Sequence, residues 1–71
     1  MPISNFPIEL EFVNDEFAGK VERLILPSDP GKTYEVPVMK GDGAVKKVFI
    51  RTDRWRLVDG LRTQVYREEA Q

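Results

Sequence analysis

The sequence predicts a mainly β domain, a small antiparallel barrel or sandwich of five to six short strands. Three observations predict it. Apolar and polar residues alternate with a period of two in several stretches, as on half-buried strands. Gly, Pro, Asn and Asp recur at close spacing between those stretches. The chain has 71 residues and no internal repeat, which is the size of one domain.

The elements follow in chain order. Ile8, Leu10 and Phe12 alternate with Glu9 and Glu11, so the first strand has one apolar side and one side of solvated carboxylates. Pro7 is tolerable at a strand start. The stretch 14–26 has two readings. As a helix over about 14–25, Asn14 is the N-cap, and Phe17, Val21, Leu24 and Ile25 share a face. That alternative makes the fold α+β, with one helix packed on the sheet. Gly19 would sit in its middle at a cost of about 1 kcal/mol. The preferred reading is a bend at Asn14-Asp15 and Gly19, then a strand over Val21–Leu26 ending at Pro27.

Pro27 to Gly31 is a loop by composition. Tyr34, Val36 and Val38 alternate with Glu35, Pro37 and Met39. Proline cannot donate to a ladder, so this is an edge strand or one with position 37 facing outward. Lys40 to Gly43 is a turn. Val48 and Ile50 then alternate with Lys47, Phe49 and Arg51.

The last hairpin turns at Asp59-Gly60. A two-residue turn mixes apolar and polar residues on both faces. A three-residue loop, with Gly60 left-handed, pairs Leu57 with Leu61 and Trp55 with Thr63. It sorts Trp55, Leu57, Leu61, Thr63 and Val65 to an inner face, and Arg54, Arg56, Arg62, Gln64 and Tyr66 to an outer one. That sorting selects the three-residue register. Residues 67–71 read as a flexible polar tail.

Composition excludes several chemistries. There is no Cys and no His. Disulfides, Ser-His and Cys-His nucleophile pairs and zinc sites of the Cys/His type are therefore impossible. No cofactor or metal site is expected, and no enzyme activity. Asp42 between Gly41 and Gly43 lacks the acidic spacing of a calcium loop. Gly31-Lys32-Thr33 matches the end of a phosphate-binding loop, but Leu26 stands where its first glycine belongs and a strand-like run follows, so it reads as a turn. Glu9 and Glu11 could form a carboxylate pair; simple alternation accounts for them. Met1 to Phe12 lacks the pattern of a signal peptide, and no apolar run is long enough for a membrane. A domain this small with no disulfide framework fits the cytoplasm.

Three local resemblances are present. Pro2-Ile3 resembles the start of tautomerases, whose proline amine acts as a base, and the likeness ends there. Residues 17–27, FAGKVERLILP, resemble a strand near the start of the rotary ATP synthase epsilon subunit. Residues 49–60, FIRTDRWRLVDG, resemble a hairpin in the C-terminal sheet of sulfatases, whose catalytic motifs this chain lacks. The last two imply strands at these positions and no activity.

Charge is unevenly spread. Residues 1–35 carry three basic and seven acidic side chains; residues 36–71 carry eight and five. Arg51, Arg54, Arg56, Arg62 and Arg67 crowd the last third. In the three-residue register Arg54, Arg56, Arg62 and Tyr66 form one exposed face. That face suits phosphate contact and base stacking. It equally suits pairing with Glu9, Glu11, Glu22 or Glu35 across the sheet. The sequence pI of about 5.4 falls short of the usual nucleic-acid footprint. The expectation is a non-catalytic module that binds another protein or itself, with nucleic-acid binding as the alternative.

Overall fold

Alternation becomes strand in the computed structural model, which describes residues 5–70. The strands are β1 (Phe6–Glu11), β2 (Val21–Leu26), β3 (Thr33–Lys40), β4 (Gly43–Val58) and β5 (Leu61–Glu68). They form one five-stranded sheet in the order β2-β1-β5-β4-β3, curled into a half-barrel. The fold is mainly β, as the sequence predicts. One pairing departs from an all-antiparallel sheet: β1 runs parallel to β5, Ile8 beside Gln64 and Leu10 beside Tyr66. Pro2 and Gln71 lie outside the described residues.

Residues 14–26 form a bend and a strand, and the helix alternative is not adopted. A single 3-10 turn spans Asp15–Phe17. Asp15 and Gly19 both take positive φ, 62° and 90°, which a continuous right-handed helix cannot hold. Gly19 N–H donates to Phe12 C=O at 2.9 Å, and Phe12 N–H donates to Lys20 C=O at 3.0 Å, which starts the β1–β2 ladder. Asn14 does not cap by its side chain; its Nδ2 donates to Glu69 C=O at 2.8 Å.

β3 is an edge strand, as Pro37 requires. Arg51 N–H donates to Lys32 C=O, so Thr33 and Ile50 are a non-hydrogen-bonded pair. Counting along the register, Pro37 also falls at a non-hydrogen-bonded position. Its nitrogen points away from β4, where no donor is missed. Gly31 (φ 90°) turns the loop ahead of β3, so Gly31-Lys32-Thr33 is a turn followed by a strand.

The β4–β5 hairpin adopts the two-residue turn, not the three-residue loop. Val58 pairs with Leu61, Leu57 with Arg62 and Trp55 with Gln64. Asp59 and Gly60 both have positive φ, 51° and 80°, which a type I′ turn needs and which matches strand twist. This register overturns the sorting: Leu61, Thr63 and Val65 move to the outer face, Gln64 and Tyr66 to the concave one, and Trp55, Leu57 and Leu61 are 41%, 79% and 46% exposed. Further down, the ladder is bulged between Arg51 and Trp55. Gln64 repairs it. Its Nε2 donates to the carbonyls of Thr52 (2.6 Å) and Arg54 (3.1 Å), and its Oε1 accepts from Arg51 Nε. Backbone groups freed by the bulge are thus satisfied inside the sheet.

The concave face carries the core. Ile8, Leu10, Phe12, Phe49 and Tyr66 are buried there, and half-buried residues of β2 and β3 pack around them. Phe12 and Phe49 meet edge to face at 5.0 Å. The same face turns Lys47 inward. Lys47 Nζ donates to Glu68 Oε2 at 2.7 Å and to Asp15 Oδ2 at 3.2 Å. Glu68 Oε1 accepts from the N–H groups of Val13 and Asn14. This ion pair closes one end of the half-barrel under Phe17, whose ring lies 5.5 Å from Lys47 Nζ. The supposed tail is ordered strand through Glu68, and Glu69 N–H donates to Val48 C=O at 2.8 Å.

Candidate functional site

The register decides what the arginines can do. Residues paired across β4 and β5 share a face, so Arg54 and Arg56 lie with Thr63 and Val65 on the outer face. Arg62 lies with Trp55, Leu57, Gln64 and Tyr66 on the other face. The four residues expected together, Arg54, Arg56, Arg62 and Tyr66, are therefore divided between the two sides of the sheet.

Arg54 and Arg56 meet the carboxylates of β1. Because β5 stands between β4 and β1, these contacts cross over Val65. Arg56 Nε lies 2.6 Å from Glu9 Oε2, and its Nη2 lies 3.5 Å from Glu11 Oε2. Arg54 Nη2 donates to Glu11 Oε1. From the other side, Arg23 Nε donates to Glu9 Oε1 at 3.1 Å. Glu9 is only 1% exposed, so it is not the solvated carboxylate that alternation suggests. Its Oε2 has the Arg56 charge beside it but no hydrogen bond of good geometry. The three guanidiniums cover Glu9, Thr63 and Val65 and account for their burial on an outer face. Glu9 and Glu11 are held as arginine partners, which is the arrangement expected of charge pairing across the sheet.

Tyr66 is fully buried, and burial raises its phenol pKa above the ordinary value. Its hydroxyl donates to Gly31 C=O, which pins the β2–β3 loop to the core. Arg51 assists: its Nη1 lies 3.1 Å from both carboxylate oxygens of Asp29. Asp29 accepts the Gly31 N–H at 2.8 Å. That backbone bond and Arg51 hold the Asp29 carboxyl below its usual range.

Arg62 stacks on Trp55, its guanidinium carbon 4.3 Å from the ring centroid. Beyond this pair the hairpin end is apolar. Leu57 projects on the Trp55 face. Val58 and Leu61 face the other way, toward Pro7 and Ile25, across a depression of about 200 Å³ that Arg23 and Thr63 also line. Ile25 is 62% exposed. Sequence reasoning misplaced Trp55, Leu57 and Leu61 as buried and Gln64 and Tyr66 as exposed, and the available signal was Asp-Gly itself, a dipeptide that favours the two-residue turn. Among the described residues there is no group of three metal-ligating side chains, and no helix is long and apolar enough to cross a membrane.

No protein-family model matches this chain, and neither does any curated protein or solved structure.

Proposed function

We propose that this chain is a small non-catalytic interaction module that binds another protein through the apolar end of its β4–β5 hairpin. One observation carries the reading: at that end Trp55 and Leu57 are exposed on one face of the sheet and Leu61, beside Ile25 of β2, on the other, Leu57 at 79%. Burying a leucine from water contributes about 1.5–3 kcal/mol. Arginines border the apolar residues on both faces, Arg62 on one and Arg23 and Arg56 on the other, a mixture common at protein interfaces. A cytoplasmic setting belongs to the same reading, because a fold without cysteine needs no oxidising compartment.

Nucleic-acid binding is the second reading. The exposed Arg62–Trp55 stack favours it, since bases stack on such platforms. Against it, Arg54 and Arg56 are held by Glu9 and Glu11, and Tyr66 is in the core.

The test is a double substitution, Leu57→Asp with Leu61→Asp, compared with the wild type for capture of proteins from an extract of the source cell. Both side chains face solvent, so circular dichroism of the variant is expected to match the wild type. The expected result is a discrete captured protein that the variant loses. A wild type that captures nothing, or a variant that captures equally well, overturns the reading. Retention on single-stranded DNA that falls steeply with salt would favour the second reading instead.

A further inference from the structure

The two ends of the sheet are not equivalent. Phe12 N–H donates to Lys20 C=O, so Glu11 and Val21 are a non-hydrogen-bonded pair. Along the register the same holds for Glu9 with Arg23 and for Pro7 with Ile25. Val21, Arg23 and Ile25 therefore turn their backbone N–H and C=O groups away from β1, to the outer edge of the sheet. At the opposite end, Pro37 occupies one of the outward positions of β3 and supplies no donor. Edge strands with an unbroken row of outward groups are templates for another strand, and proline is one of the devices that prevent it. β3 has that device and β2 lacks it.

We propose that β2 is the pairing edge for a second copy of this chain, joined antiparallel about a two-fold axis at Arg23. This goes beyond the interaction reading above and concerns a different surface. In that register Arg23 stands opposite Arg23 of the partner subunit, and Val21 stands opposite Ile25 of the partner subunit. Every outward N–H and C=O of the strand then meets an outward group, and the two sheets continue with like faces together. Val21 and Ile25 are 49% and 62% exposed, and each gains an apolar neighbour across the join. Other registers fit less well. Sliding the strand one way brings Pro27, which has no donor, into the ladder. Sliding it the other way sets Gly19 against Ile25.

The central rung fixes the charge balance. Arg23 is bound to Glu9 within its own chain, Nε to Oε1 at 3.1 Å. Across the join the rung reads Glu9, Arg23, Arg23, Glu9. Each guanidinium brings its own carboxylate, so the rung carries no net charge. The partner is thus one whose edge is self-complementary to Val21–Leu26, and the identical strand supplies it.

The test combines sedimentation with residue-resolved amide exchange over a range of concentrations. The wild type is expected to form a reversible dimer at high micromolar concentration. The N–H groups of Val21, Arg23 and Ile25 are expected to exchange more slowly as the dimer fills. Ile25→Lys places a charge at the join, and Ile25→Pro removes one outward donor without touching the β1 ladder. Both are expected to be monomers with wild-type circular dichroism. A wild type that stays monomeric at every concentration overturns the proposal. So does a dimer in which those three amides remain unprotected, or one that Ile25→Lys leaves intact. A monomer that still captures a partner protein through Leu57 and Leu61 overturns only the edge pairing. A monomer that captures none overturns the interaction reading as well.

Discussion

Lys47→Ala is expected to cost about 3–5 kcal/mol of folding stability, because it strands the buried Glu68 carboxylate without its cation. Both side chains are 2% exposed. Glu68 would keep only its backbone donors at Val13 and Asn14 and the more distant help of the Asn14 side chain. The paired substitution Lys47→Met with Glu68→Gln behaves differently. Glutamine retains an oxygen for the two N–H groups, and methionine replaces the buried ammonium with an apolar group of similar length. The double variant is expected to be much closer to wild type than Lys47→Ala, since replacing a buried ion pair by neutral groups is often neutral or stabilising. Urea unfolding of the variants measures this, and a double variant no better than Lys47→Ala would refute it.

The same pair sets a pH dependence. Burial pushes the Glu68 carboxyl up, but Lys47, Asn14 and the Val13 N–H outweigh it and hold it below its usual range. Its contribution is present at neutral pH and is lost as pH falls through that lowered value. Glu68 raises the Lys47 pKa above its ordinary value, with Asp15 adding to it against the opposing effect of burial. Its contribution is present at neutral pH and is lost as pH rises through that raised value. The double variant is expected to flatten both limbs.

Phe49→Ala is expected to remove a large share of the folding stability and to lower the thermal midpoint strongly. Phe49 is fully buried and meets Phe12 edge to face. Removing a buried phenylalanine typically costs about 3–5 kcal/mol. A domain of this length has a total stability of about 4–11 kcal/mol at the usual figure per residue. Among the described residues Ile8, Leu10, Phe12 and Tyr66 are buried with it, so the core offers few neighbours to close the cavity. A thermal scan reads the result, and a shift of only a few degrees would contradict it. Phe49→Leu, which keeps much of the volume, is expected to retain the fold with a lowered midpoint.

Local signals in the sequence located most strands, because strand pleating leaves a period of two that needs no knowledge of partners. Ile8, Leu10 and Phe12 are buried as their alternation requires, and Pro37 marks a sheet edge. Three features were not legible, each for a physical reason. The parallel β1–β5 pair joins distant segments, and alternation says which side of a strand is wet but not which strand lies beside it. The outer-face burial of Glu9 depends on arginines from two other strands, and no local pattern announces that. In the last hairpin, the demand for an apolar face favoured the wrong register. The Asp59-Gly60 turn prevailed because the positive φ angles suit that dipeptide, while Arg62 over Trp55 and Arg56 on Glu9 tolerate the mixed faces. The arginine site was legible as a cluster of residue types and not as a surface, since face membership follows from register.

The parallel pairing of β1 with β5 also governs when this polypeptide can fold. Ile8 and Leu10 need Gln64 and Tyr66 alongside them, and Val13 needs the carboxylate of Glu68, 55 positions later. During synthesis the segment through Glu68 must clear the ribosome before β1 finds its β5 neighbour. Until then β1 has only β2 beside it, so emergence is the interval in which chaperones have most to hold, and the non-local β1–β5 pairing is expected to form late and slowly.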